Sequence, residues 1–122
     1  MKTIEHFVGG KSFSGESKRK GKVFNPATGE VISKVQLGNK KVVNAAVENS
    51  LKALESWSKT TPAKRASIMF NYKKLLEDNS NTIAELVSKE HGKTIDDAKG
   101  SLLRGLEVVE YACGIPYLLK GE

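Results

Sequence analysis

The fold of the carboxyl-terminal half is decided by the stretch TIDDAKGSLLRGLEVVEYAC, residues 94–113. Its apolar side chains recur at spacings of three and four residues, which places them on one narrow stripe of an α-helix. The members of this stripe are Ile95, Ala98, Leu102, Leu106, Val109 and Cys113. Thr94 and Asp97 are spaced to form a capping box, and Gly114 and Pro116 follow the last apolar residue. The stretch therefore predicts one helix with a single buried seam.

Three further helices are predicted upstream from the same periodicity. Asn39 suits the N-cap of the first, and Thr61 and Pro62 suit the cap and first helical position of the second. The third runs from about Thr82 and ends at Gly92, which tolerates the left-handed conformation. The expected inward-facing residues are, helix by helix, Val43, Val47, Ser50, Leu54 and Trp57; Ala66, Met69, Phe70 and Leu76; and Ile83, Leu86 and Val87.

Short strands are predicted before residue 38. Gly9-Gly10 is typical of a two-residue hairpin turn, and Asn25-Pro26-Ala27-Thr28-Gly29 is typical of a second turn. The stretch from Ser12 up to the second strand pair is expected to be an exposed loop. The predicted strands cover Thr3 to Val8, Lys11 to Phe13, Lys22 to Phe24 and Val31 to Val35.

The predicted fold class is α+β, mainly helical with short amino-terminal strands. Residues 1–37 form strands and loops, residues 39–113 form four helices, and residues 114–122 form a tail. The length of 122 residues suits one domain, and no linker divides it. Because no apolar run reaches membrane-spanning length and no signal peptide is evident, we expect a cytoplasmic protein.

The net charge of +6 comes partly from the basic cluster between Lys18 and Lys22. A solvated loop explains this cluster better than a nucleic-acid site does, so no nucleic-acid or membrane partner is expected. Cys113, the only cysteine, belongs to the apolar seam and is expected to be a small buried hydrophobe rather than a nucleophile. His6 and His91 have no companions at useful spacing. We therefore predict no catalytic residue, no metal ligand and no cofactor-binding motif in this chain.

Arg104 is the one candidate binding residue. At 100° per residue it lies almost opposite the apolar seam, and its face carries Gly100, Val108 and Tyr111. Such a face could be the wall of a cleft in which the guanidinium binds a carboxylate through two hydrogen bonds. Alternatively, Arg104 pairs with Glu107 or packs its aliphatic stem over Tyr111. Spacing alone leaves both possibilities open.

Several motifs resemble the amino-terminal region of the aldehyde dehydrogenase superfamily, and the later ones resemble its methylmalonate-semialdehyde dehydrogenase family. The superfamily resemblance rests on His6 to Lys11, Val23 to Glu30, Trp57-Ser58 and Thr61 to Ala66. The family resemblance rests on Glu90 to Thr94, Asp97 to Gly100, Arg104 to Glu110 and Leu119 to Glu122.

This resemblance implies the first part of an α/β cofactor-binding domain. It also implies an NAD-dependent, coenzyme A-acylating oxidation of malonate or methylmalonate semialdehyde in valine catabolism, performed by a homo-oligomer. The family places an arginine at the position of Arg104 to bind the substrate carboxylate. Its catalytic cysteine and cofactor turn have no counterparts here.

We therefore expect an amino-terminal segment that is inactive alone, binds neither NAD nor coenzyme A by itself, and has exposed apolar helix faces. The alternative is a stand-alone helical interaction module derived from such an enzyme.

Overall fold

The computed structural model describes residues 1–121, which form two compact units that meet in sequence at Lys59 and Thr60. Glu122, the end of the predicted tail, lies outside the described residues. The strands are β1 (Thr3–Ile4), β2 (His6–Val8), β3 (Lys11–Phe13), β4 (Lys20–Phe24) and β5 (Val31–Gln36). The helices are α1 (Lys40–Trp57), α2 (Pro62–Asp78), α3 (Ser80–His91), α4 (Ile95–Cys113) and α5 (Ile115–Leu118).

The mainly helical fold with short amino-terminal strands is confirmed. Within the described range, no helix combines the length and apolar character needed to cross a membrane.

The Gly9-Gly10 hairpin forms because both glycines adopt positive φ, at 64° and 77°. It pairs β2 with β3 in antiparallel register. The prediction of one strand from Thr3 to Val8 is wrong, because the run is interrupted at Glu5. β1 pairs in parallel with β5 instead, and the Lys34 amide donates to the Lys2 carbonyl at 3.0 Å. This partner is distant in sequence, so the local pattern does not reveal it.

The second predicted strand pair forms the rest of a three-stranded sheet in the order β1-β5-β4. β4 begins at Lys20, so the predicted exposed loop is wrong in its last residues, and β5 extends by one residue to Gln36. Gln36 is buried, and its side-chain amide donates to the Ser17 carbonyl. This contact fixes the chain just before β4 and favours the longer strand.

Helix α1 begins as predicted, because the Asn39 side chain accepts a hydrogen bond from the Val42 amide at 3.0 Å. Its predicted inward stripe is wrong. Val42 is buried next to Gly15, whereas Val43 and Val47 are more than half exposed. The stripe residues before Trp57 instead line an open apolar groove of about 620 Å³ beside the β2–β3 hairpin. No described residue closes this groove.

Helix α4 forms the core of the second unit. Ala98 and Cys113 are buried, and Leu102, Leu106 and Val109 are partly buried, which confirms the predicted seam except at the exposed Ile95. The helices α2 and α3 both pack against α4. Lys73 of α2 contacts Glu77 at 2.8 Å and Glu110 of α4 at 3.7 Å. The hydrogen bond to Glu77 raises the pKa of Lys73.

The helix ends largely follow their predicted signals. The Thr61 hydroxyl caps α2, Gly92 ends α3 at φ 73°, and the Thr94 hydroxyl accepts from the Asp97 amide at 3.2 Å. The structure thus shows the Thr94 half of the predicted capping box.

Three local expectations for the second unit are wrong. Helix α3 begins at Ser80, directly after α2, rather than near Thr82. Phe70 and Leu86 are more than half exposed, because no described element covers their side of α2 and α3. The predicted tail contains α5, where Pro116 occupies an early helical position that does not need its missing amide hydrogen.

Candidate functional site

Arg104 lies midway along α4, half a turn around the helix from the buried Cys113. Its neighbours Val108 and Tyr111 are 67% and 68% exposed, so this face of the helix is open and partly apolar. Among the described residues, the Arg104 guanidinium forms no hydrogen bond or ion pair, and Glu107 does not pair with it. The cation is therefore available to a ligand.

A shallow pocket of about 350 Å³ lies on this face. Its lining residues are Lys93, Asp96, Asp97, Gly100, Ser101 and Arg104. The Lys93 ammonium donates to the Ser101 hydroxyl at 2.8 Å, and the Ser88 hydroxyl donates to the Lys93 carbonyl at 2.6 Å. These two bonds hold the segment after α3 against the first turns of α4. The pocket thus contains two cations and two carboxylates, so its formal charge is balanced, and Arg104 is the side chain that could bind a carboxylate through two hydrogen bonds.

The glycines on this helix are not required by the packing of the described residues. A Cβ atom added to Gly100 or Gly105 would meet no heavy atom within 4 Å. Each glycine costs roughly 1 kcal/mol in a helix interior relative to alanine. Their occurrence beside Arg104 is consistent with close approach by a ligand or by a further polypeptide segment.

The other candidates are not among the residues that line this pocket. Cys113 is 5% exposed, as expected of a small buried hydrophobe, and it borders a different cleft with Phe70 and Tyr117. His91 is exposed at the end of α3, and the Nε2 atom of His6 is buried without a hydrogen-bond partner among the described residues. In residues 1–121 no three His, Cys, Asp or Glu side chains converge as metal ligands would.

Sequence reasoning did not identify Lys93 and Ser101 as part of this site. Their hydrogen bond joins residues eight positions apart across the end of one helix and the start of the next. Ser101 stands three residues before Arg104, a spacing that does place both on one side of α4. Nothing local indicates that Lys93 folds back onto that side.

The fold is that of the amino-terminal part of a dehydrogenase, and comparison with known proteins defines the family. The model of the aldehyde dehydrogenase family matches residues 13–122. The chain belongs to the aldehyde dehydrogenase family.

The most informative relatives are semialdehyde dehydrogenases. Malonate-semialdehyde dehydrogenase of Pseudomonas aeruginosa is 46% identical over 100% of this chain and 24% of its own length. The enzyme of the same name from Bacillus pumilus is 42% identical over 100% of this chain and 25% of its own length. The chain thus spans about a quarter of the length of the curated relatives it matches.

A solved structure gives the same result. A protein of Sinorhizobium meliloti 1021, described as a methylmalonate-semialdehyde dehydrogenase and crystallised with NAD, superposes with a TM-score of 0.94. It is 48% identical, and the match covers 98% of this chain and 24% of that one. A benzaldehyde dehydrogenase of Corynebacterium glutamicum, at 28% identity and a TM-score of 0.88, shares the architecture over 98% of this chain and 26% of its own.

Proposed function

We propose that this chain is the amino-terminal segment of an NAD-dependent, coenzyme A-acylating dehydrogenase of malonate or methylmalonate semialdehyde. The observation that carries the proposal is the alignment of all 122 residues with malonate-semialdehyde dehydrogenase at 46% identity. The aldehyde is oxidised as its hydride passes to NAD⁺, the carboxylate is lost as carbon dioxide, and the remaining acyl group passes to coenzyme A. The segment alone is inactive, because it supplies neither a nucleophile nor a cofactor-binding turn.

The part of the work assigned to this segment is recognition of the substrate carboxylate by Arg104. Malonate and methylmalonate semialdehydes each carry one carboxylate beside the aldehyde. A guanidinium can bind it through two parallel N–H···O bonds, which fixes the distance of the aldehyde from its anchor. The open pocket and the unpaired state of Arg104 among the described residues support this role.

NAD is supported by the Sinorhizobium meliloti structure, which was solved in complex with it. No residue of this chain is assigned to NAD or to coenzyme A. We also propose coenzyme A as acceptor, homo-oligomeric assembly, cytoplasmic location and a role in valine catabolism, each supported by the family resemblance alone. The stand-alone interaction module has no support from the comparisons, because the same residues align with enzymes throughout.

The proposal is tested by assaying the longer protein that carries this segment with malonate semialdehyde, NAD⁺ and coenzyme A. We expect NADH and acyl-coenzyme A to appear in equal amounts, and neither to appear with the 122-residue chain alone. Formation of NADH with no consumption of coenzyme A would contradict the acyl-transfer step. If NADH forms with neither malonate semialdehyde nor methylmalonate semialdehyde, the proposal as a whole is contradicted.

A further inference from the structure

We propose that the outer edge of β4 binds an extended acidic peptide segment of a partner polypeptide as an additional strand. This surface lies in the first unit, shares no residue with the pocket at Arg104, and does not depend on the dehydrogenase activity. It consists of the outward backbone groups of β4 together with the side chains of Lys20, Lys22, Phe24 and Lys34.

The hydrogen-bonding pattern of the sheet leaves the edge of β4 open. β4 is an outer strand in the order β1-β5-β4. The Leu37 amide donates to the Arg19 carbonyl at 3.0 Å, which makes this pair a hydrogen-bonded one. Because such pairs alternate in an antiparallel ladder, Gly21 and Val23 also turn their backbone groups toward β5.

The amides and carbonyls of Lys20 and Lys22 must then point outward. The pairing of β1 with β5 supports this orientation. Lys34, the residue of β5 opposite Lys22, donates its amide to the Lys2 carbonyl of the β1 side and so does not bond to β4. No described residue pairs with the outward groups of Lys20 and Lys22. These are the donors and acceptors that an added strand would use.

The side chains beside this edge carry uncompensated positive charge. Lys20, Lys22 and Phe24 alternate onto the exposed face of β4, where Phe24 is 51% exposed. Lys22 stands directly opposite Lys34 of β5, and like charges in that position destabilise a sheet. Within residues 1–121, no carboxylate forms an ion pair with these lysines, and Glu16 is engaged by Lys41 at 2.7 Å.

The positive charges beside the edge of β4 determine which kind of strand can bind there. Lysine on an edge strand disfavours pairing with basic or uncharged strands, so it would oppose pairing of β4 with a second copy of itself. An incoming strand with carboxylates at alternate positions meets Lys20 and Lys22 with opposite charge and relieves their repulsion with Lys34. An apolar residue two positions further along would contact Phe24. A single-stranded nucleic acid could contact the lysines but would make little use of the outward amides.

The test uses a labelled synthetic peptide of alternating glutamate and valine, titrated with dilute 122-residue chain and followed by fluorescence anisotropy. We expect saturable binding that weakens as salt is added. Lys22→Glu should weaken binding by about tenfold or more because it repels the peptide. Lys52→Glu, an equal charge change on the exposed side of α1, is the matched control and should bind as the unaltered chain does.

A second pair of variants tests the strand geometry. Lys22→Pro removes both the lysine charge and an outward amide hydrogen that β5 does not use, whereas Lys22→Thr removes the charge alone. The sheet should persist in both variants, and binding should fall by about tenfold more in Lys22→Pro than in Lys22→Thr. The backbone amide resonances of β4 and β5 in NMR spectra verify the sheet in each variant. Equal binding of a peptide with its glutamates and valines in separate blocks would overturn the proposal. So would equal binding by Lys22→Pro and Lys22→Thr, or tighter binding of a single-stranded oligonucleotide that the proline does not affect.

Discussion

Gly15 is the residue whose identity the first unit constrains most tightly. Its φ is +62°, a conformation that side chains with a Cβ atom rarely adopt. A Cβ atom added there would also collide with the side chain of Val42, the buried residue of α1. Gly10 has a similar φ of +77° but meets nothing within 4 Å. Comparing substitutions at Gly10 and Gly15 therefore distinguishes the cost of backbone strain, which both share, from the cost of steric overlap, which only Gly15 has.

Gly15→Ala should lower the free energy of unfolding of the first unit by roughly 2–4 kcal/mol, because strain and overpacking add. Gly10→Ala should cost only about 1–2 kcal/mol from the positive φ. Urea unfolding followed by the fluorescence of Trp57, the only tryptophan, measures both. Equal losses in the two variants would show that Val42 does not constrain Gly15.

At the same scale, the sequence identified Arg104 but not its surroundings. Its angular position on α4 follows from counting residues at 100° each, which needs no tertiary information. The contact of Lys93 with Ser101 depends on how the chain turns after Gly92, and such turns are not encoded in helical periodicity. The candidate site was therefore predictable as a residue but not as a pocket.

At the scale of elements, local signals were predictive and distant partners were not. Asn39, Thr61, Gly92 and Thr94 were recognised because a cap acts within one turn of its own helix. The split of the first strand into β1 and β2 was missed because β1 pairs with β5, far along the chain. The stripe on α1 was recognised as apolar, but periodicity cannot say whether a partner is present to bury it.

Thr94→Ala removes the hydroxyl that caps α4 and should destabilise the second unit by about 1 kcal/mol. Thr82→Ala, at an exposed position within α3, is the control and should cost nothing because alanine favours helix. Urea unfolding followed by far-UV circular dichroism compares them. An unchanged transition midpoint in Thr94→Ala would show that the cap does not stabilise α4.

On the scale of the whole molecule, large apolar surfaces remain open. Val43, Val47, Leu51 and Leu54 of α1 are each more than half exposed along the apolar groove. In the second unit, Phe70, Leu86 and Val108 are also more than half exposed. Faces of this kind are typical of surfaces that pack against further protein. This agrees with a chain that matches about a quarter of its relatives' length.

The isolated chain should therefore self-associate as its concentration rises, measured by sedimentation velocity. Leu51→Glu places a charge in the groove of α1 and should reduce this association, whereas Lys52→Glu on the adjacent exposed position should not. A monomer at all concentrations with one sharp thermal transition would contradict the expectation.

In the proposed function, Arg104 binds the carboxylate of the substrate in the longer protein. The most direct test is the ratio of kcat/KM for malonate semialdehyde to kcat/KM for an uncharged aldehyde of similar size, measured in the longer protein with and without Arg104→Leu. Loss of hydrogen bonds to a charged group predicts a fall in this ratio of about 10–100-fold, with Arg104→Lys intermediate. An equal loss of kcat/KM for both aldehydes, leaving the ratio unchanged, would show that Arg104 is structural and would contradict the account.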